Sequence, residues 1–148
     1  MKIRRATLDD AGPLAELYLV TRDAAAMPPG LHPLDDVTNH LRTKRIGVND
    51  VWVAEDGEPI GFLILEDDDL HWLFVHPSAQ GRGVGTTLVD LAKAERPGGL
   101  ALWVFEMNLP ARDFYAKHGF VEVRRTDGDN EEGAPDVRMT WGAHPEAS

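Results

Sequence analysis

The residues of this chain with the clearest capacity for chemistry are Gln80-Gly81-Arg82-Gly83-Val84-Gly85-Thr86, a glycine-spaced loop between an apolar strand pattern and a helical one. Backbone N–H groups at a helix N-terminus can converge on one anion when no side chain stands in the way, and the alternating glycines clear that space. A pyrophosphate fits such a cradle, and so does a purely structural tight turn. Two nucleotide motifs do not fit. A P-loop closes on Gly-Lys-Ser/Thr, whereas this loop runs into Gly85-Thr86-Thr87 without a lysine. A dinucleotide fingerprint needs G-x-G-x-x-G, whereas the spacing here is G-x-G-x-G in the middle of the chain. The chain has no cysteine, so thiolate nucleophiles, disulfides and thiolate metal sites are excluded, and any thiol chemistry comes from a cofactor. His32, His40, His118 and His144 show no paired ligand spacing, and His71 with His76 would face opposite ways on a regular strand, so no metal site is expected.

The elements that must position this loop alternate along the whole length, which predicts an α/β class with one sheet. Lys2 to Ala6 reads as a strand. Thr7 with Asp10 is a capping signal, and Leu14, Leu17, Tyr18 and Thr21 then recur at helical spacing. Pro28 to Pro33 breaks that helix, and a second begins at Asp35-Asp36 and runs to Leu41. Val51–Ala54 and Pro59–Leu65 flank a turn and predict a hairpin, followed by a strand over Leu70–Val75. Beyond the loop, Val84, Leu88, Leu91 and Ala92 predict a helix burying one face. Leu100–Phe105 suits a central strand buried on both sides. Asn108 is a helix N-cap with Pro110 in the first turn. Phe120–Val123 and Asp136–Trp141 predict a last antiparallel pair. One domain is expected over 1–141, with a frayed tail over 142–148.

Leu73-Phe74-Val75-His76-Pro77, the loop from Gln80 to Gly85, and then Asn108, Ala111, Phe114-Tyr115 and Gly119-Phe120 resemble, in order and separation, the central motifs of the GCN5-related N-acetyltransferase (GNAT) superfamily. The likeness is clear from about Trp52 to Phe120. It implies a mixed, mainly antiparallel sheet of six to seven strands with about four helices, and a splayed parallel strand pair holding acyl-CoA. It implies that Gln80, Gly81, Arg82, Gly83, Val84, Gly85 and Thr86 wrap the pyrophosphate of acetyl-CoA with main-chain amides. It also implies that Phe74 and Val75 offer main-chain groups to the pantetheine arm, with a main-chain N–H near Phe74 meeting the thioester oxygen. Asn108 is expected to cap its helix, bond the cofactor arm, or both.

The implied function is N-acetyl transfer from acetyl-CoA to a primary amine of a small molecule or peptide. The alternative is a non-catalytic acyl-CoA-binding sensor or regulatory domain. Acyl transfer needs a neutral amine, stabilised charge on the oxygen and a proton for the departing thiolate. Tyr115 is the candidate general acid, where the family places a tyrosine near the CoA sulfur. Packing beside Phe114 would also explain it. His71, placed by alternation on the face of Leu73 and Val75, is the candidate base, as in the arylalkylamine members. Glu55 and Glu106 are fallback bases.

The 148 residues carry 15 Lys+Arg against 25 Asp+Glu, a net charge of -10 that repels nucleic acid. No apolar run approaches the roughly 20 residues of a membrane span, and the N-terminus shows no signal core, which predicts a cytoplasmic protein. The family's acceptor site would lie between Met27–His32 and the acidic stretch Asp127–Asp136, giving His32 a substrate-binding role. Those acids read either as solvated loop tips or as attraction for a cationic amine. Dimers are frequent in the family; oligomeric state is not legible in the sequence.

Overall fold

The structure is a computed structural model that describes residues 1–28 and 30–147. Pro29, inside the expected break between the first two helices, and Ser148, inside the expected tail, lie outside the described residues. Seven strands form one sheet: β1 Lys2–Arg5, β2 Asp50–Asp56, β3 Glu58–Glu66, β4 Asp69–Val75, β5 Leu100–Phe105, β6 Val121–Thr126 and β7 Asp136–Trp141, in the order β1-β2-β3-β4-β5-β7-β6. Four α-helices accompany it: α1 Ala11–Ala24, α2 Leu34–His40, α3 Val84–Glu95 and α4 Leu109–Lys117. A π-helical turn, Leu41–Arg45, continues α2.

The apolar run of β3 explains the two layers. Alternate side chains go to opposite faces, so Phe62 and Ile64 meet Leu14, Leu17 and Leu41 on one side, while Leu63 and Leu65 meet Leu88 and Val89 on the other. Burial of Leu14, Leu17, Tyr18 and Thr21 matches the spacing read for α1. Ahead of it, Thr7 N donates to Asp10 Oδ2 at 2.7 Å, and Arg4 holds the Asp10 carboxyl below its usual range. Gly61 is required by closeness: a Cβ there would stand 3.1 Å from both the Phe74 carbonyl oxygen and Val84 Cγ1.

All neighbouring strands are antiparallel except β4 and β5, which run parallel and pair only at Asp69 and Ala101. Ala101 N donates to Asp68 O at 3.0 Å there, and the two strands part beyond that point. The tail differs from the frayed end expected of it. His144 is buried with Nε2 3.3 Å from Asp68 Oδ2, and Glu146 bonds Arg124 and Arg138. Room for this comes from Gly99, where a Cβ would lie 2.5 Å from His144 N.

Candidate active site

The opening between β4 and β5 leads into a cavity of about 470 Å³. Which main-chain groups face it follows from the β3–β4 ladder. His76 N donates to Ile60 O at 2.8 Å, and hydrogen-bonded pairs alternate along an antiparallel ladder. Phe74 therefore exchanges its bonds with Phe62 and Trp72 with Ile64, while Leu73 and Val75, opposite Leu63 and Gly61, turn theirs toward β5. The Val75 carbonyl confirms this parity by accepting from Gln80 Nε2 at 3.1 Å. Expectation and structure differ here by one residue: the N–H directed at the cleft is that of Leu73, because Phe74's is spent within the sheet.

A second difference has the same origin. The register shifts between Ile64 and Leu65, leaving His71 as the extra residue of a β-bulge. Strict alternation fails at a bulge, so His71 does not share the face of Leu73 and Val75. Its ring instead stacks on that of Trp72, with centroids 5.4 Å apart and planes 13° apart. Trp72 in turn stacks on Tyr18 at 4.4 Å. Burial, followed by the nearby Arg45 charge, lowers the His71 imidazole to about 4. It lines the cavity as a neutral ring.

At the other end of the opening, Gly81 and Gly83 adopt φ of 79° and 84°, left-handed conformations that glycine tolerates best. Among the described residues, no N–H from Gly81 to Thr86 has a protein acceptor; the first that does is Thr87 N, on Gly83 O at 3.0 Å. Six donors thus stand free at the start of a 12-residue helix, the positive end of its dipole. Gln80 differs from the others. Its N–H donates to Pro77 O at 3.4 Å and its side chain braces Val75, so it supports the loop from behind. Arg82 makes an exposed ion pair with Asp56 at 3.3 Å. Gly85 is where α4 approaches: a Cβ would meet Phe114 Cζ at 3.1 Å.

Tyr115 enters the cavity from α4, held by ring contacts with Phe114 at 5.4 Å and Phe120 at 5.5 Å. Its hydroxyl has no hydrogen-bond partner among the described residues, and burial pushes its ionisation well above the usual tyrosine value. The phenol is thus a neutral group on a residue that lines the cavity. Asn108 Oδ1 accepts from Ala111 N at 3.3 Å, which shows the N-cap, and the residue also lines the cavity. The fallback bases lie elsewhere. Glu55 pairs with Arg4 at 3.0 Å on the β1–β2 side, and Glu106 pairs with Arg125 at 3.4 Å outside the cavity wall.

The remaining wall joins segments 110 residues apart. Arg22, buried on α1, donates to Glu132 Oε2 at 2.7 Å, to Tyr18 Oη at 3.0 Å and twice to Pro28 O. Glu131 of the same loop meets His32 Nε2 at 2.5 Å. The two acceptor segments expected from sequence are brought together, but His32 lies outside the cavity lining and acts on the loop. Sequence reading missed Arg22, whose only signal was a cation on the buried side of α1. It also missed Asp69, a lining carboxylate clamped by Arg138 at 2.9 and 3.0 Å.

A cleft with amide donors at one end, outward-facing strand amides along it and a neutral phenol within fits a long anionic thioester. Among the described residues no helix is long and apolar enough to cross a membrane. Residues 47–122 match the family model described as acetyltransferase (GNAT) domain. The chain is 38% identical over 82 residues to the peptidyl-lysine N-acetyltransferase YjaB of Salmonella typhimurium, covering 54% of this chain and 56% of that protein. It thus spans about half the length of that relative. It is 33% identical over 144 residues to an uncharacterized N-acetyltransferase of Archaeoglobus fulgidus, covering 86% and 95% of the two chains. The solution structure of apo-form YjaB from Escherichia coli superposes with a TM-score of 0.76 at 27% identity, over 96% of this chain and 98% of that one.

Proposed function

The chain belongs to the GNAT acetyltransferase family, and from that membership together with the cleft we propose that it transfers an acetyl group from acetyl-CoA to a primary amine of a small molecule or peptide. The observation that carries this reading is an arrangement of three features: Leu73 and Tyr115 line one cavity, Val75 at the end of the same strand turns its main chain toward β5, and the Gly81–Thr86 amides follow, with Gly85 packed beside Val75 and Phe114. Acetyl-CoA supplies the activated thioester carbonyl. The chain's own residues do the rest. Gly81 to Thr86 bind the diphosphate, and Val75 N and the Asn108 side-chain amide orient the arm. Leu73 N–H stabilises negative charge growing on the carbonyl oxygen, a contribution strengthened because the sheet fixes its direction in advance.

Alkyl amines are largely protonated at neutrality, with a pKa of roughly 10.4, so the acceptor must lose a proton before it attacks. His71, lowered to about 4, is unprotonated at that pH but too weak a base to keep a proton taken from such an amine, so it serves as a relay that passes the proton through water to solvent. Tyr115 donates its hydroxyl proton to the departing sulfur and is reprotonated by the second amine proton, shed from nitrogen as the amide forms. Peptide lysine is within this acceptor class, in keeping with the name of YjaB as a peptidyl-lysine N-acetyltransferase.

The test incubates the protein with acetyl-CoA and a panel of alkyl amines, peptides with free lysine or N-terminus, and amino sugars, reading release of CoA thiol. Release that depends on one acceptor class supports the assignment. Tight donor binding without release on any acceptor would favour a sensing role.

A further inference from the structure

The cofactor reading leaves unexplained why an imidazole sits beside the anion cradle. His118 caps the C-terminal end of α4, yet its Nε2 lies 3.3 Å from Thr86 Oγ1, in the first turn of α3. Packing delivers it there in steps. The missing Cβ at Gly85 admits the Phe114 ring, and Phe114 holds the His118 ring with centroids 4.5 Å apart. The main chain of His118 is fixed as well, since its carbonyl accepts from Lys93 Nζ at 2.5 Å. At 3.3 Å the contact with Thr86 is longer than a usual hydrogen bond to a hydroxyl. Both groups keep capacity for a third partner.

Charge gives this position its meaning. The chain carries a net charge of -10 and would bind a polyanion, so attraction must come from local groups. Arg82 faces solvent and shares its charge with Asp56. His118 is the imidazole held beside Thr86, whose N–H is the last of the six free amides.

We propose that His118 Nε2 is a ligand for the diphosphate of the bound acyl donor, completing with Thr86 a cradle otherwise made of main-chain amides. This rests on the acyl-CoA reading above. The same ring nitrogen would serve any nucleoside diphosphate group seated on the α3 N-terminus, and the imidazole approaches it from the α4 side.

The test measures binding by titration calorimetry for acetyl-CoA, its dephospho form lacking the 3'-phosphate, and S-acetylpantetheine lacking the diphosphate, with His118→Leu and His118→Gln beside the parent protein. The expected result for His118→Leu is about tenfold weaker binding of both nucleotide donors, the low end for one hydrogen bond to a charged group. S-acetylpantetheine binding and the melting temperature without ligand should not change. His118→Gln, which keeps a donor near the Nε2 position, should recover most of the loss. Equal affinity in His118→Leu, a loss shared by S-acetylpantetheine, or a loss for acetyl-CoA alone would each overturn the assignment. Failure of the parent protein to bind acetyl-CoA would instead sink the donor reading on which it stands.

Discussion

Replacing Tyr115 by Phe removes one oxygen from the cavity and nothing from the hydrogen-bond inventory of the described fold, because that hydroxyl has no protein partner. The ring contacts with Phe114 and Phe120 survive the change. Melting temperature should therefore stay within about 1 °C, as expected for a substitution that opens no cavity and orphans no polar group. A positioned general acid contributes about 10²–10⁴-fold. A thiolate is a good leaving group, so the lower end applies: kcat should fall about 100-fold, or about 2.7 kcal/mol in the barrier. KM for acetyl-CoA and for the amine should change little, since the proton is needed only as the carbon–sulfur bond breaks. Thiol release read with a chromogenic disulfide suits the measurement, because the chain has no cysteine to react. Burial raises the Tyr115 ionisation, so the phenol stays protonated through the alkaline range and the parent enzyme should show no loss of rate from it up to about pH 10. A Tyr115→Phe rate within twofold of the parent would refute the assignment of the proton donor.

His71→Gln should lower kcat/KM about 10- to 100-fold if the imidazole accepts the amine proton. The folded value of about 4 lies below the unfolded one near 6.5. The stability linked to this group is therefore complete above about pH 6.5 and lost as pH falls toward 4; the parent should lose melting temperature across that window more steeply than the variant, and parallel curves would contradict the burial of the ring. Glu132→Gln weakens the clamp on Arg22, so KM for the amine should rise several-fold with KM for acetyl-CoA unchanged; equal rises in both would mean that the loop does not belong to the acceptor wall. Gly85→Ala forces Phe114 to move and should cost about 1–3 kcal/mol by denaturant titration, with weaker acetyl-CoA binding. Amide hydrogens of Leu73 and Val75 should exchange faster than those of Trp72 and Phe74 in the free protein and slow when acetyl-CoA is added; matched rates would mean the ladder parity is wrong.

What the sequence disclosed and what it hid divide by range. The glycine turn leading into α3 was legible because glycine spacing and the apolar repeat of α3 are local properties. Asn108 declares its cap for the same reason, with Ala111 only three residues away. The resemblance supplied the splayed strand pair and Tyr115. The bulge at His71 was invisible, since alternation is an assumption about pairing and only the partner strand shows where it breaks. That one insertion moved His71 to the Trp72 face. The parity of the main-chain donors, which passes the cleft-facing N–H from Phe74 to Leu73, likewise belongs to the pairing with β3. The Arg22–Glu132 clamp needed a contact across 110 residues, and no periodicity encodes that. The docked tail was hidden because its seat is the bare backbone of Gly99, which looked like an ordinary helix-ending turn.

The single bridge between Asp69 and Ala101 makes the sheet a hinge. Four strands swing on one side of it and three on the other, and the vertex is riveted by Asp69–Arg138, Arg138–Glu146 and His144–Asp68. Beyond that vertex β4 and β5 are unpaired as far as Val75 and Phe105, so the contacts of His144 and Glu146 brace the place where the two leaves are joined, and the end of the chain becomes part of what sets the angle between them.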